Sequence, residues 1–204
     1  MLTQFWYLWV IIVLLSAATV AAIIFAARAV SSHNAETKKQ LEELKRLKLL
    51  KDKYKNFETE VLEDSTPAEA LEGTMAVLQS RIEKADDAEA EFAAFNEPQK
   101  YIYTLNYFLE DIEAGGLSFF FKNNGDELRS VAADALRAVG YESAVSPVNT
   151  VWKMFDDSYA DTAVDLDELD RTDEQFAATF DKQALVDKIK DYIIANAEAL
   201  KSQG

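Results

Sequence analysis

Nine carboxylates fall within the 19 residues from Asp156 to Glu174: Asp156, Asp157, Asp161, Asp165, Asp167, Glu168, Asp170, Asp173 and Glu174, opposed only by Arg171. Carboxylates at this density bind a hard cation, act as an acid–base pair, or offer negative charge to a basic surface. A calcium loop of the EF-hand type needs Asp or Asn at alternate positions, a central glycine and a closing Glu. No register of the stretch supplies that glycine. The expectation is an acidic surface for a basic protein partner, and the plainer alternative is a solvated acidic loop.

A second set, Glu110, Asp111 and Glu113, has the composition of a general acid and base or of a metal site, but no His, Cys or Lys converges on it in sequence. No catalytic residue is expected. Gly115, Gly116 and Gly125 do not make a phosphate loop, because the Gly-Lys-Ser/Thr of a Walker motif is missing. The chain has no Cys and one His, His33 in a polar Ser-Ser-His-Asn segment, which excludes thiolate sites, cysteine nucleophiles and multi-histidine metal clusters. Neither a cofactor nor a metal is expected.

The elements that carry these residues read as helices. Thr66-Pro67-Ala68-Glu69 combines a cap, a proline at the first helical position and a capping-box acid. Leu71, Met75, Leu78, Ile82, Ala85, Phe92 and Phe95 then predict one face of a long helix, until Asn96-Glu97-Pro98 breaks it and starts another. Gly115-Gly116 ends that second helix. Leu117–Phe121 is the one place for a strand, and Asn123-Asn124-Gly125 is a turn signal. Further helices follow: one closed by Gly140, one opened by Pro147, and a last one with Leu185, Ile189, Tyr192 and Ile193 on one side. The fold class expected is all-α.

The chain of 204 residues has a net charge of −15, and that average hides three parts. From Phe5 to Ala27 run 23 residues without a charge, at about 1.5 Å each enough to span a hydrocarbon core of roughly 30 Å. Phe5, Trp6, Tyr7 and Trp9 suit an aromatic belt at its edge. No Lys or Arg precedes the run and it exceeds a signal-peptide core, so an uncleaved anchor over residues 1–28 is favoured over a cleaved leader. Residues 28–55 carry nine Lys and Arg against four acids. That positive flank places the C-terminal bulk in the cytoplasm, on the inner face of the cell membrane.

Leu41, Leu44, Leu47, Leu50, Tyr54, Phe57 and Val61 recur at helical spacing through 35–62. Residues 29–62 are therefore expected as a basic amphipathic juxtamembrane helix, with Arg28, Lys38, Lys39, Lys45, Arg46 and Lys48 toward anionic lipid. Pairing with a twin helix in a homodimer, or serving as a solvated connector, are the alternatives. Residues 56–204 hold 12 Lys and Arg against 32 Asp and Glu, a net of −20. The acidic all-α domain is expected over 63–204.

The run YFLEDIEAGGLSFFFKNNGDELRSVAADALRAVGY, Tyr107–Tyr141, followed by LDELDRTDEQF, Leu166–Phe176, resembles the DNA-mimic protein family numbered nineteen. The matching elements are Gly115 and Gly116 after an acidic helix end, the aromatic cluster with Phe119 and Phe121, then Asn123, Gly125 and Gly140, and the late acidic helix. The resemblance covers about residues 98–198. It implies an all-α domain without known catalysis, whose carboxylates imitate duplex phosphates and occupy a DNA-binding protein. Much of the affinity of DNA for proteins is electrostatic, so spaced carboxylates compete for the same Lys and Arg.

The resulting expectation is a single-pass, membrane-anchored, non-enzymatic acidic module. It would face the cytoplasm and bind a basic protein, in particular a DNA-binding one, without binding nucleic acid itself. Two alternatives stay open: an immunity-type inhibitor of a basic toxin, and a membrane-tethered scaffold whose stalk self-associates.

Overall fold

Two helix starts written into the sequence frame the fold. At Thr66 the hydroxyl accepts from Glu69 N–H at 3.3 Å while the Glu69 carboxylate accepts from Thr66 N–H at 3.0 Å. At Asn96 the side chain accepts from Gln99 N–H, and Gln99 Oε1 accepts from Asn96 N–H, both at 3.1 Å. Each box is followed by proline in the first turn, so two orphan donors are satisfied where the chain cannot extend the helix backwards.

The computed structural model describes residues 37–155 and 166–201. The anchor expected over 1–28, Arg28, and Asp156, Asp157, Asp161 and Asp165 lie outside the described residues. Among the described residues no helix is long and apolar enough to cross a membrane, and none forms a strand. The helices are α1 (37–54), α2 (Thr59–Asp64), α3 (Pro67–Ile82), α4 (Ala88–Ala94), α5 (Glu97–Gly115), α6 (Leu117–Asn123), α7 (Asp126–Ala138), α8 (Val145–Phe155), α9 (Leu166–Thr179), α10 (Lys182–Ala195) and α11 (Ala197–Lys201). A 3₁₀ turn, Glu142–Ala144, precedes α8.

The chain divides into two compact units, Met1–Leu47 and Lys48–Gly204. In the first, the described residues 37–47 are helical, with Leu41 and Leu44 exposed.

The second unit takes in the end of the expected stalk. The amphipathic helix predicted over 35–62 stops at residue 54, and Phe57, at φ 45°, turns the chain into α2. Tyr54, Phe57 and Leu62 are core residues at 0–1% exposure. The same apolar stripe that suits a membrane surface here buries its last members under α3 and α10, and tertiary burial overrides the local helical preference. A Cβ on Gly73 of α3 would stand 2.1 Å from the Tyr54 ring, so the ring lies directly on the α3 backbone. The Tyr54 hydroxyl meets Ser65 Oγ, and Lys190 Nζ of α10 donates to the carbonyls of Glu63 and Ser65 at 2.9 and 2.6 Å.

The single long helix expected from Leu71 to Phe95 is two helices. Asp87 caps α4 by accepting from Ala90 N–H at 3.0 Å, because Asp holds a cap better than a helix interior. Helix α5 is central, touching α3, α6, α7, α10 and α11, with Ile102, Leu105 and Phe108 fully buried. Asn96 and Gln99 at its start donate to the carbonyls of Ala199 and Leu200, which satisfies the end of α11.

Leu117–Phe121, the expected strand, is instead the body of α6. Leu117, Phe120 and Phe121 stand at i, i+3 and i+4 and are fully buried, while Phe119 is half-buried. A consecutive aromatic run thus satisfies a helical face once Leu117 is counted with it. Phe108 packs edge-on against Phe120, Phe176 and Phe180, and Phe121 stacks on Phe155 and lies 6.4 Å from Trp152. These rings form one aromatic layer joining α5, α6, α8 and α9.

Candidate partner-binding surface

The described part of the acidic stretch is helix α9. Leu169 and Phe176 fix it to the core at 1% and 2% exposure, and Phe176 stacks on Phe180 at 4.9 Å between ring centroids. Asp167 and Glu168 in its first turn complement the positive end of the helix dipole. Asp167, Glu168, Asp170 and Glu174 are exposed. Among the described residues no cation pairs with Asp167, Asp170 or Glu174. Arg171, the one cation of the stretch, donates from Nε to the Asp167 carbonyl at 3.1 Å.

Asp173 points the other way. It is half-buried and its Oδ1 accepts from the backbone N–H of Ser118 at 2.8 Å. Gly116, at φ 85°, separates α5 from α6, and a Cβ there would meet Asp173 Oδ2 at 3.6 Å. Glycine at this left-handed position lets two helices follow each other without an intervening loop, and the carboxylate from α9 closes the start of the second.

Other carboxylates at this corner are ties within the fold. Asp111 accepts from Asn124 Nδ2 at 2.6 Å and from Asn123 Nδ2 at 3.3 Å, which fastens the end of α6 to α5. Glu113 pairs with Lys182 of α10, and Glu110 accepts from Asn106 Nδ2 at 2.7 Å. Gly115 is the last residue of α5 and Gly125 the cap of α7. Gly140, at φ 73°, follows α7, where Tyr141 N–H reaches back to the Leu136 carbonyl at 2.8 Å in a Schellman arrangement. Gly115, Gly116, Phe119, Phe121 and Asn123 therefore gather at the α5–α6 corner, whereas Gly125 and Gly140 bound α7. The sequence held a signal for Asn124 in its Asn-Asn-Gly turn, and none for Ser118.

Lys38, Lys39, Lys45, Arg46 and Lys48 are exposed along α1. Lys38 lies 3.9 Å from Glu42 and Arg46 lies 3.3 Å from Glu43.

Among the described residues no three His, Asp or Glu side chains come together as a cation cage. The phenols of Tyr101 and Tyr103 are pushed well above the ordinary tyrosine range, mainly by burial, then by hydrogen bonds to Glu97 and Tyr107 respectively. They stay protonated near neutral pH, and the Tyr101 hydroxyl donates to the Glu97 carboxylate. What this surface offers chemically is fixed negative charge on a helix backed by an aromatic layer.

Residues 93–196 match the family model described as DMP19-like protein. The chain belongs to the DMP19-like family. No curated protein and no solved structure matches it. The DMP19-like segment runs from the end of α4 through α10, so it contains α9, the Gly116–Asp173 corner and the aromatic layer. It coincides closely with the resemblance read over 98–198. Helices α1, α2, α3 and α11 lie outside it.

Proposed function

We propose that this DMP19-like chain is a non-enzymatic binding module that occupies the nucleic-acid-binding face of a basic protein by presenting carboxylates in place of phosphates. The observation that carries the reading is the exposed trio Asp167, Asp170 and Glu174, which has no cationic partner among the described residues, on a helix held by Leu169 and Phe176. At about 1.5 Å per residue the three are about 4.5 and 6 Å apart along the helix axis. Duplex phosphates advance about 3.4 Å per strand, the same order. Rigid backing matters because a flexible acidic chain would lose ordering entropy on binding. Asp156, Asp157, Asp161 and Asp165 extend the acidic run in sequence and join the proposed surface on that ground. The apolar run Phe5–Ala27 and the positive residues after it support a single-pass anchor with the module in the cytoplasm.

The test uses the full-length chain in detergent as bait, with and without excess duplex DNA, beside the variant D167N/D170N/E174Q. A basic DNA-binding protein is expected to be retained at low salt, displaced by DNA, and lost with the variant. A partner that the variant keeps, or that DNA does not displace, overturns this reading.

A self-associating scaffold is the second reading, favoured by Leu41, Leu44 and Leu49 at 51%, 64% and 71% exposure. It predicts a dimer in sedimentation that L41E/L44E abolishes, whatever happens to partner binding.

A further inference from the structure

Residues outside the DMP19-like segment build a basic cleft. Lys51, Lys55, Arg81, Lys84 and Lys201 line a cavity of about 510 Å³, and Glu91 is the one acid among the described residues that line it. Such a concentration runs against a chain of net charge −15. The volume falls in the range of small-molecule sites. Phe57, Val77 and Leu200 supply apolar lining, and Phe57 and Leu200 are themselves almost fully buried.

Glu91 does not neutralise the lysines. Its Oε1 accepts from Arg81 Nε at 2.9 Å and Nη2 at 2.8 Å, and the Arg81 guanidinium lies over the Phe95 ring at 4.7 Å. Lys51 and Lys84 both line this cavity, and the charge of the Lys84 amine acts on Lys51. Among the described residues no carboxylate makes an ion pair with either. The neighbouring Lys84 amine, with some desolvation, holds Lys51 below the ordinary lysine range, against the opposing pull of Asp52 and Glu83. Lys84 and Lys201 stand at helix C-termini, where a cation complements the dipole. That accounts for their charge but not for two amines brought together. The same cleft holds Phe57, the one non-glycine residue at positive φ among the described residues, and strain of this kind concentrates at ligand sites.

We propose that this cleft binds a phosphorylated ligand with an apolar part, its phosphate between Lys51 and Lys84 and its apolar part on Phe57, Val77 and Leu200. An anion there converts a repulsive pair into two charge-assisted contacts, and the compact lysine ammonium suits a phosphate oxygen. A lipid headgroup and a soluble nucleotide share this chemistry.

The experiment takes the full-length chain in phosphatidylcholine nanodiscs. ADP is titrated in one arm, and phosphatidic acid is added to the nanodisc in the other, with calorimetry and thermal midpoint as readouts. Saturable ADP binding, or a raised midpoint with phosphatidic acid, is expected and names the source. K51Q/K84Q should weaken the effect at least about tenfold, equivalent to about 1.4 kcal/mol, while K122Q, a distant surface change, keeps it. Because the double variant removes a repulsion, its midpoint without ligand should equal or exceed that of the parent. If it does not fold, K84Q alone, at an exposed side chain, must remove most of the effect. No response to either ligand, or equal loss in K122Q, overturns the proposal.

Discussion

Ser118 and Asp173 are 55 residues apart, and the backbone N–H of the first donates to the carboxylate of the second at 2.8 Å. One acid of the candidate surface therefore serves as the distant cap of α6, the helix that carries the buried aromatic run. Asp173→Ala should cost about 1 kcal/mol, the usual value of a lost cap, and Asp173→Asn less, because an acceptor remains. Urea unfolding checks this: the midpoint should fall at unchanged slope. D167N/D170N/E174Q should shift it far less, since those side chains are exposed.

Gly73→Ala places a methyl 2.1 Å from the Tyr54 ring. The ring is fully buried and has nowhere to retreat, so overpacking of about 1–3 kcal/mol is expected. Combining G73A with Tyr54→Leu should give a double variant more stable than the sum of the two single changes allows, and thermal melts of the four proteins measure that coupling.

Acid should weaken the start of α3. Hydrogen bonds from the Thr66 backbone and hydroxyl hold the Glu69 carboxyl below its ordinary value of 4.5. A depressed folded value means that its contribution is complete above the unfolded value and is lost as pH falls through the folded one. The difference in thermal midpoint between the parent and Glu69→Gln should therefore shrink below about pH 4.5. A difference that stays constant from neutral pH to pH 3 would contradict the capping role.

Thr104 is fully buried on α5 and its hydroxyl has no partner among the described residues. Thr104→Val keeps the shape and removes the unsatisfied group, so a gain of about 1 kcal/mol is expected. In a domain of this size that is a rise of roughly 2–4 °C in the melting midpoint.

What could be read from the sequence was what nearest neighbours decide. The helix starts at Thr66 and Asn96 and the stop at Gly116 form with partners three or four residues away, and all three are where the residues put them. The body of α6 was not legible as a helix, because its cap comes from Asp173 and its inward face exists only against Phe108 and Phe155. The stripe through Tyr54 and Phe57 gave the correct apolar positions but not their destination, since one periodicity serves a lipid surface, a twin helix and a core equally. The acidic helix was visible by composition, whereas the division between outward Asp170 and inward Asp173 depends on packing. The cleft had no signature at all: Lys51, Lys84 and Lys201 lie on three segments that only the fold assembles.

Trp152 sits half-buried beside Phe121, on the layer that supports α9. The chain has three tryptophans, and the other two, Trp6 and Trp9, lie in the apolar N-terminal run. With those two changed to phenylalanine, the protein would carry a single indole whose emission reports on the underside of its acidic helix. A partner settling on α9 would then be visible as a colour shift from within the protein, with no dye attached to the charged face it uses.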